Sequence, residues 1–238
     1  MLRWLTAAAV LVAGIAVPET AVRADTVSRS VLSDEFTGSV GNAPNSAKWV
    51  VAGDPRSAQL TGDGQLWLAT RMQAQKPITQ TSGRAEARIR MDRDGGAWRA
   101  LGVLTANGQL PAGQVEVLGD DQVDGFDFHT YVIDWSPTAL VWSVDGRKVL
   151  RFTPQSGGQP LLLALNSGSG GRNPDTMLVD YVRVSARVTV QATNWKTYTT
   201  YKAGKYVRYD GVVYRVRELH TSLPGWQPPL VPGLFQKV

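Results

Sequence analysis

The stretch GRAEARIRM, from Gly83 to Met91, alternates small or apolar residues with charged residues along its whole length. Its apolar residues, from Ala85 to Met91, fall on one face, and the charged residues between them fall on the other. Alternation with a period of two is typical of a strand that has one buried face and one face in water. The stretch therefore predicts a half-buried antiparallel strand.

Similar short runs lie on both sides of this strand, and none of the intervening segments shows a helical period. Asp145-Gly146 separates two of the runs, which predicts a two-residue hairpin. Many short strands joined by turns indicate an all-β fold, a jelly-roll β-sandwich of two antiparallel sheets with one concave face. The runs are VLSDEF at 31–36, QLWLA at 65–69, 98–105, 114–118, 131–135, 140–144, 148–152, 161–165 and 178–184.

The N-terminus predicts export. Residues 1–24 combine a basic start, an apolar run rich in alanine and valine, and Val22-Arg23-Ala24 as a cleavage site, so they read as a signal peptide. A retained N-terminal anchor is the alternative. No later segment suits a membrane span, so we expect a secreted, extracellular protein without a membrane association after signal removal.

Cysteine is absent from the 238 residues, and histidine occurs only at His129 and His220. Disulfides, a thiolate nucleophile and cysteine-type zinc sites are therefore excluded. Two histidines so far apart in sequence do not suggest a multi-histidine metal centre. We expect no metal site and no cofactor.

The chain changes character near residue 190. Residues 194–238 hold eight of the 20 aromatic residues, and seven basic residues against two acidic ones. So short a segment needs tight aromatic packing to fold, which predicts a separate small module. Because its basic residues are scattered among tyrosines, we interpret them as a solvated surface rather than a nucleic-acid site.

Residues 25–190 resemble the family 16 glycoside hydrolases of the laminarinase and lichenase type. The resemblance implies a jelly roll, retaining hydrolysis of a β-glucan or a related polymer, and chemistry without a cofactor. The pieces that carry it are DEFTG from Asp34, TSGRAEARIRM from Thr81, GAWRALGVL from Gly96, FHTYVIDWSP from Phe128, VWSVDG from Val141, LNSGSGG from Leu165 and VDYVRV from Val179.

Residues 194–238 resemble the small chitin-binding modules of carbohydrate-binding families 5 and 12. The matching residues are Trp195 and the segment from Tyr201 to Phe235, in which HTSLPGWQPP at 220–229 is the most distinctive part. Phe235 stands where a tryptophan is usual. The resemblance implies a polysaccharide as the partner, and we expect the protein to be a monomer.

The stretch PAGQVEVLGDDQVD, from Pro111 to Asp124, contains the strand on which the resembled hydrolases carry their carboxylates as E-x-D-x-(x)-E. Aligned on Gly113, the nucleophile position holds Gln114, the middle acid is Glu116, and the acid/base position holds Leu118 or Gly119. Retaining hydrolysis needs a nucleophile and an acid/base. On this alignment both carboxylates are missing. We expect Val115 and Val117 to face the core and Gln114 and Glu116 to face the cleft.

A shifted assignment keeps the same strand face. Glu116 then becomes the nucleophile, and Asp120 or Asp121 becomes the acid/base. Four strand residues span roughly 13 Å, so the side chains would have to lean together across a bulge.

Several other residues are candidates for glycan contact. In the larger domain these are Trp98, Gln114 and Arg84, although Trp98 could equally be a core residue and Arg84 part of a solvated face. Gly102 stands where the family commonly has a second tryptophan. In the tail, Trp226, Trp195 and Tyr214 could stack on sugars, and any of them could instead be core.

Three functions fit these observations. The first is a secreted glycan-binding protein whose hydrolase scaffold is inactive. The second is an active retaining endo-β-glucanase that uses the shifted carboxylate pair. The third is a structural cell-wall adhesion protein, which the chitin-type tail disfavours.

Overall fold

The computed structural model of the protein describes residues 22–91, 100–120, 123, 127–168 and 176–238. The chain divides into two compact units, one formed by Thr26–Thr189 and the other by Val190–Val238 together with the residues up to Asp25. Residues 1–21 of the predicted signal segment lie outside the described residues, and residues 22–24 begin the first strand.

The larger unit is built from strands, and its described residues contain a single turn of 3-10 helix at Pro55–Ser57. The first and the last of its strands include residues of the other unit. The strands are β1 (Val22–Asp34), β2 (Trp49–Val51), β3 (Ala58–Leu60), β4 (Leu66–Leu68), β5 (Arg71–Ala74), β6 (Gly83–Met91), β7 (Leu101–Thr105), β8 (Gly113–Val117), β9 (His129–Trp135), β10 (Leu140–Val144), β11 (Arg147–Pro154), β12 (Leu161–Asn166) and β13 (Met177–Asn194).

These strands form two sheets of a sandwich, as the sequence predicted. The larger sheet has the order β13-β6-β9-β10-β11-β8, with β4 also paired to β13 and β3 paired to β4. The smaller sheet has the order β2-β5-β12-β7. Neighbouring strands of these two sheets pair in the antiparallel direction, for example β6 with β9 and β12 with β7.

The core lies between the two sheets. One face of β6 is buried, as its alternation predicted. The buried residues are Ala85, Ala87, Ile89 and Met91. Leu163 and Leu165 of β12 belong to the same core cluster, whereas Leu162 and Ala164 form a second buried cluster with Leu104. The continuous apolar run of β12 is thus buried on both faces.

The predicted hairpin at Asp145-Gly146 is present between β10 and β11. Asp145 and Gly146 both adopt left-handed backbone conformations, with φ angles of 49° and 78°. Positive φ at both central residues defines the type I′ turn, whose twist matches that of the flanking strands. Aspartate and glycine therefore occupy positions that they tolerate well.

Strand β8 differs from its prediction. It is an edge strand that pairs only with β11, and all five of its residues are exposed. Val115 and Val117, which we expected in the core, are 62% and 77% exposed. The reason is that alternation fixes which side chains share a face, whereas the neighbouring layer determines whether that face is covered.

The smaller unit is also formed mostly by strands. Its strands are β14 (Thr200–Tyr201), β15 (Tyr206–Tyr209), β16 (Val212–Val216), β17 (His220–Thr221) and β18 (Phe235–Lys237), with a 3-10 turn at Pro228–Leu230. The last residues of β13 pair in parallel with β15, which continues through β16 to β18. Strands β14 and β17 form a separate antiparallel pair.

The core of this unit is largely aromatic. Tyr201, Tyr214 and Phe235 are buried together with Val207 and Val216. Aromatic packing of this kind compensates for the small size of the module. In the part of the chain that the structure describes, no helix has the length and apolarity needed to cross a lipid bilayer.

Candidate functional site

The register of β8 fixes where the candidate catalytic side chains point. Glu116 lies opposite Arg151 of β11, and Gln114 lies opposite Thr153. Arg151 and Thr153 are exposed on the outer face of the larger sheet. Because partners across a ladder lie on the same face, Gln114 and Glu116 point outward into solvent.

A groove of about 600 Å³ lies on the other side of β8. Val115 reaches this groove together with Leu150 and Phe152, whereas Gln114 and Glu116 are not among its lining residues. The faces are therefore reversed relative to the prediction. The remaining lining residues are mostly apolar, with Arg71, Gln109 and Asn166 as polar members: Gly102, Val103, Leu104, Gly108, Leu110, Pro111, Trp142 and Ala164.

Gly102 contributes open space to the groove. A Cβ atom placed on Gly102 would meet no heavy atom within 4 Å. The sequence suggested that this position had lost stacking area by comparison with the resembled family. The geometry leaves room for a larger side chain at Gly102.

The end of β8 is bulged. The backbone N–H groups of Leu118 and Gly119 both donate to the carbonyl oxygen of Val149, at 3.0 and 3.4 Å. Two residues opposite one is the pattern of a β-bulge. It brings the chain to Asp120, which is exposed, while Asp121 lies outside the described residues.

Arg84 lies on the outer face of the larger sheet. Its guanidinium is 3.1 Å from a carboxylate oxygen of Asp134 and 3.4 Å from one of Glu86. Its charge is thus already paired on a solvated face, which is the structural alternative considered for this residue. Trp98, the other scaffold candidate, lies outside the described residues.

His129 and Asp145 form a pair beside the β10–β11 hairpin. His129 Nδ1 lies 2.7 Å from Asp145 Oδ2, and the N–H of Thr130 donates to the other oxygen at 2.8 Å. Burial acts to raise the pKa of Asp145, but these two hydrogen bonds and the neighbouring charges outweigh it and hold the pKa below its ordinary value. The carboxylate thus contacts the start of β9 through His129 and Thr130.

Among the residues that the structure describes, no three His, Asp or Glu side chains come together in a way that could hold a metal ion.

In the smaller unit, the three predicted sugar-stacking residues occupy different environments. Tyr214 is 8% exposed and belongs to the aromatic core, so its prediction as a stacking residue is corrected: its ring has no free face. Trp195 is partly buried and packs edge-on against Tyr209, with ring centroids 5.5 Å apart. Trp226 is partly buried to a similar degree, with its ring centroid 6.5 Å from that of His220.

Trp226 is carried by a tight turn. Its backbone N–H donates to the carbonyl oxygen of Leu223 at 3.0 Å, and Gly225 has a φ angle of 84°. Proline at the second position and a left-handed glycine at the third are typical of a type II turn. The LPGW segment is thus a defined turn that carries Trp226. His220 places its Nδ1 2.9 Å from the Glu218 carbonyl oxygen.

Ser222 connects this turn to a second one. It is fully buried, and its hydroxyl donates to the Lys196 carbonyl oxygen at 2.6 Å. Its backbone carbonyl accepts from the N–H of Tyr198 at 2.7 Å. Tyr198 was not among the predicted site residues, because the sequence around it, KTYTT, carries no alternation or motif.

The fold defines an all-β protein with an antiparallel β-sandwich and a small module that has an aromatic core. Residues 106–161 match the profile of the glycosyl hydrolases family 16, and residues 194–236 match that of the carbohydrate-binding module family 5/12. Both resemblances predicted from the sequence are confirmed. The match to family 16 precedes the match to family 5/12 along the chain.

Curated relatives match parts of the chain. Chitinase A1 of Niallia circulans is 41% identical over 58 residues, which cover 22% of this chain and 8% of that protein. Crh-like protein 4 of Aspergillus fumigatus is 33% identical over 87 residues, 34% of this chain and 17% of that protein. The chain thus spans less than a fifth of the length of these relatives.

One solved structure belongs to a study of endo-acting O-glycanases that human gut bacteria express to initiate mucin breakdown. It superposes with a TM-score of 0.50 at 14% identity, covering 66% of this chain and 98% of that one. Likeness at this identity concerns the fold, and it agrees with the jelly-roll sandwich described above.

Proposed function

We propose that this chain is a secreted polysaccharide-binding protein whose family 16 scaffold has lost hydrolysis and whose module attaches it to chitin or a related glycan. The binding part of this proposal is supported by both domain matches. The loss of hydrolysis is supported by the central strand.

The observation that carries the loss of hydrolysis is the direction of Glu116. Retaining hydrolysis needs two carboxyl groups about 5–5.5 Å apart that face the bound sugar. Glu116 points to the outer face, away from the groove that Val115 lines. Gln114 shares that face and has no carboxylate, and neither Leu118 nor Gly119 can protonate a leaving oxygen.

The choice of chitin as the polymer rests on the module. Its relatives include two proteins named as chitinases, from Niallia circulans and Paenibacillus xylanexedens. An insoluble polysaccharide presents flat sugar faces, on which exposed aromatic rings stack. Trp226, which is carried by its tight turn, is the residue that we assign to this contact, with Trp195, which packs edge-on against Tyr209, as a weaker candidate.

Export and the monomeric state belong to the same proposal. Signal removal after Ala24 would leave Asp25 as the first residue. Expression of the full chain in an exporting host, followed by N-terminal sequencing of the medium fraction, tests this. Recovery of the protein only with its first 24 residues attached would contradict export. A sedimentation experiment tests whether the protein is a monomer.

Hydrolysis is tested by reducing-sugar release from laminarin, lichenan and chitin with the wild type and Glu116→Gln. We expect both proteins to stay at the level of the buffer blank. Turnover by the wild type that disappears in Glu116→Gln would establish the alternative, an active endo-β-glucanase that uses Glu116 with Asp120 or Asp121.

Binding is tested by retention of the full chain on insoluble chitin. We expect the wild type to be retained and Trp226→Ala to be released. Leu219→Ala is the control, because Leu219 is an exposed apolar residue of the same module. Retention that survives Trp226→Ala would exclude our assignment of this residue.

A further inference from the structure

We infer that Tyr198 is a second glycan-contacting residue of the small module, presented to the polymer by a strained turn that Ser222 holds in place. This inference rests on the proposed glycan binding of the module. It adds to that proposal a contact position outside the HTSLPGWQPP segment.

The ring of Tyr198 is unusually open to solvent. It is 72% exposed, and it is the most exposed aromatic side chain among the described residues of the module. Tyr201 and Tyr214 are buried, and Tyr206 and Tyr209 are partly buried. Exposure on this scale means that packing does not explain the choice of an aromatic residue here.

The backbone of Tyr198 is strained. Its φ angle is 55°, in the left-handed region that glycine, asparagine and aspartate occupy readily and bulky residues rarely do. Phe36 is also left-handed, but its ring is buried in the core of the larger unit. Tyr198 gains no comparable burial. Strain that is kept without a packing benefit is typical of sites that contact a ligand.

The strained turn is held by several hydrogen bonds to one residue. The N–H of Tyr198 donates to the Ser222 carbonyl oxygen at 2.7 Å, and the N–H of Ser222 donates to the Thr199 carbonyl oxygen at 3.0 Å. The Ser222 hydroxyl donates to the Lys196 carbonyl oxygen. The Tyr201 hydroxyl accepts from the Lys196 N–H at 2.7 Å. The conformation of the turn is therefore over-determined by its surroundings.

The same serine leads directly into the turn that carries Trp226. Ser222 is the residue before Leu223, the first residue of the LPGW turn. The turns that carry Tyr198 and Trp226 are thus both attached to the buried Ser222, so their positions are set before the ligand binds. Two preorganised rings suit a repeating polymer better than a single sugar, because each can contact its own unit of the chain.

The test uses the full chain and insoluble chitin. Tyr198→Asn removes the ring and introduces a residue that tolerates the left-handed conformation. Tyr198→Phe keeps the ring. Asp210→Asn is the matched control, because Asp210 is also exposed and left-handed, with a φ angle of 47°, but lies in the β15–β16 hairpin. Binding isotherms and calorimetric unfolding are recorded for all four proteins.

We expect Tyr198→Asn to bind roughly three- to tenfold more weakly, as for the loss of one aromatic contact, while its unfolding midpoint stays equal or rises. Tyr198→Phe and Asp210→Asn should bind like the wild type. A residue with a merely structural role is not expected to weaken binding while the unfolding midpoint stays the same.

Three results would overturn the inference. Unchanged binding by Tyr198→Asn, or weaker binding accompanied by a lower unfolding midpoint, would remove Tyr198 from the site while the module remained a glycan binder through Trp226. A wild type that does not bind chitin would instead refute the proposed binding of chitin and, with it, this inference.

Discussion

Glu116 lies directly across from Arg151 on the outer face of the larger sheet, in the last pair of strands. The groove of the scaffold lies on the opposite side of the same strand, where Val115 and Phe152 meet it. The only acidic residue that β8 retains is therefore separated from the groove by the backbone of its own strand.

Glu116→Ala should change the free energy of unfolding by less than about 1 kcal/mol, because exposed charges at a sheet edge contribute little. Leu150→Ala, which removes a buried residue of the neighbouring strand, should cost about 2–5 kcal/mol. Urea unfolding of both variants checks this. Similar losses for the two would mean that Glu116 is packed against the protein.

Gly113→Ala and Gly102→Ala should differ in sign. A Cβ atom on Gly113 would clash with the Thr153 carbonyl oxygen and the Phe152 ring, whereas one on Gly102 meets open space. We expect Gly113→Ala to cost about 1–3 kcal/mol and Gly102→Ala to be neutral or stabilising by up to about 1 kcal/mol. Denaturant midpoints compare the two, and an equal cost would contradict the open groove.

Asp145 should contribute a pH-dependent part of the stability. Its pKa is lower in the folded protein than its ordinary value of 3.8. Its contribution is therefore complete above that value and is lost as the pH falls through the folded pKa. Asp145→Asn, which keeps the left-handed turn, should lower the melting temperature at neutral pH, with the difference shrinking as the pH falls below the ordinary pKa of 3.8. Melting curves against pH, with the exposed Asp63→Asn as control, measure this.

Ser222→Ala should destabilise the module by about 1–3 kcal/mol, because it removes the hydroxyl of a fully buried serine that donates to the Lys196 carbonyl oxygen. Thr221→Ala, which removes an exposed hydroxyl 2.9 Å from that of Thr200, should have a much smaller effect. Hydrogen exchange of residues 196–201 reports on the turn directly. Unchanged protection in Ser222→Ala would show that the backbone bonds alone hold it.

Much of the fold could be predicted from local patterns. The faces of β6, the double burial of β12 and the hairpin at Asp145-Gly146 each follow from residues that are neighbours in sequence. Such features depend on alternation and turn chemistry, which a single sequence displays. The bounds of β10, Leu140–Val144, were predicted to the residue.

The candidate site was predicted less well, because it depends on relations between distant segments. The sequence of β8 indicates that Glu116 and Val115 face opposite ways, but the choice of face depends on pairing with β11 and on the end of the smaller sheet at β7. Likewise, the burial of Tyr214 and the exposure of Tyr198 follow from how the module closes around Phe235, not from the residue types.

The exposure of the four β8 side chains, from Gln114 to Val117, also bears on the history of the protein and on its redesign. Apart from Gly113, where an added Cβ atom would clash, the residues of such a strand can be exchanged with little effect on folding. Catalytic acids at such a position can disappear by drift as soon as selection for turnover ends. For the same reason, new side chains can be introduced there by design, and β8 offers an engineer a strand on a stable scaffold whose sequence is largely free to choose.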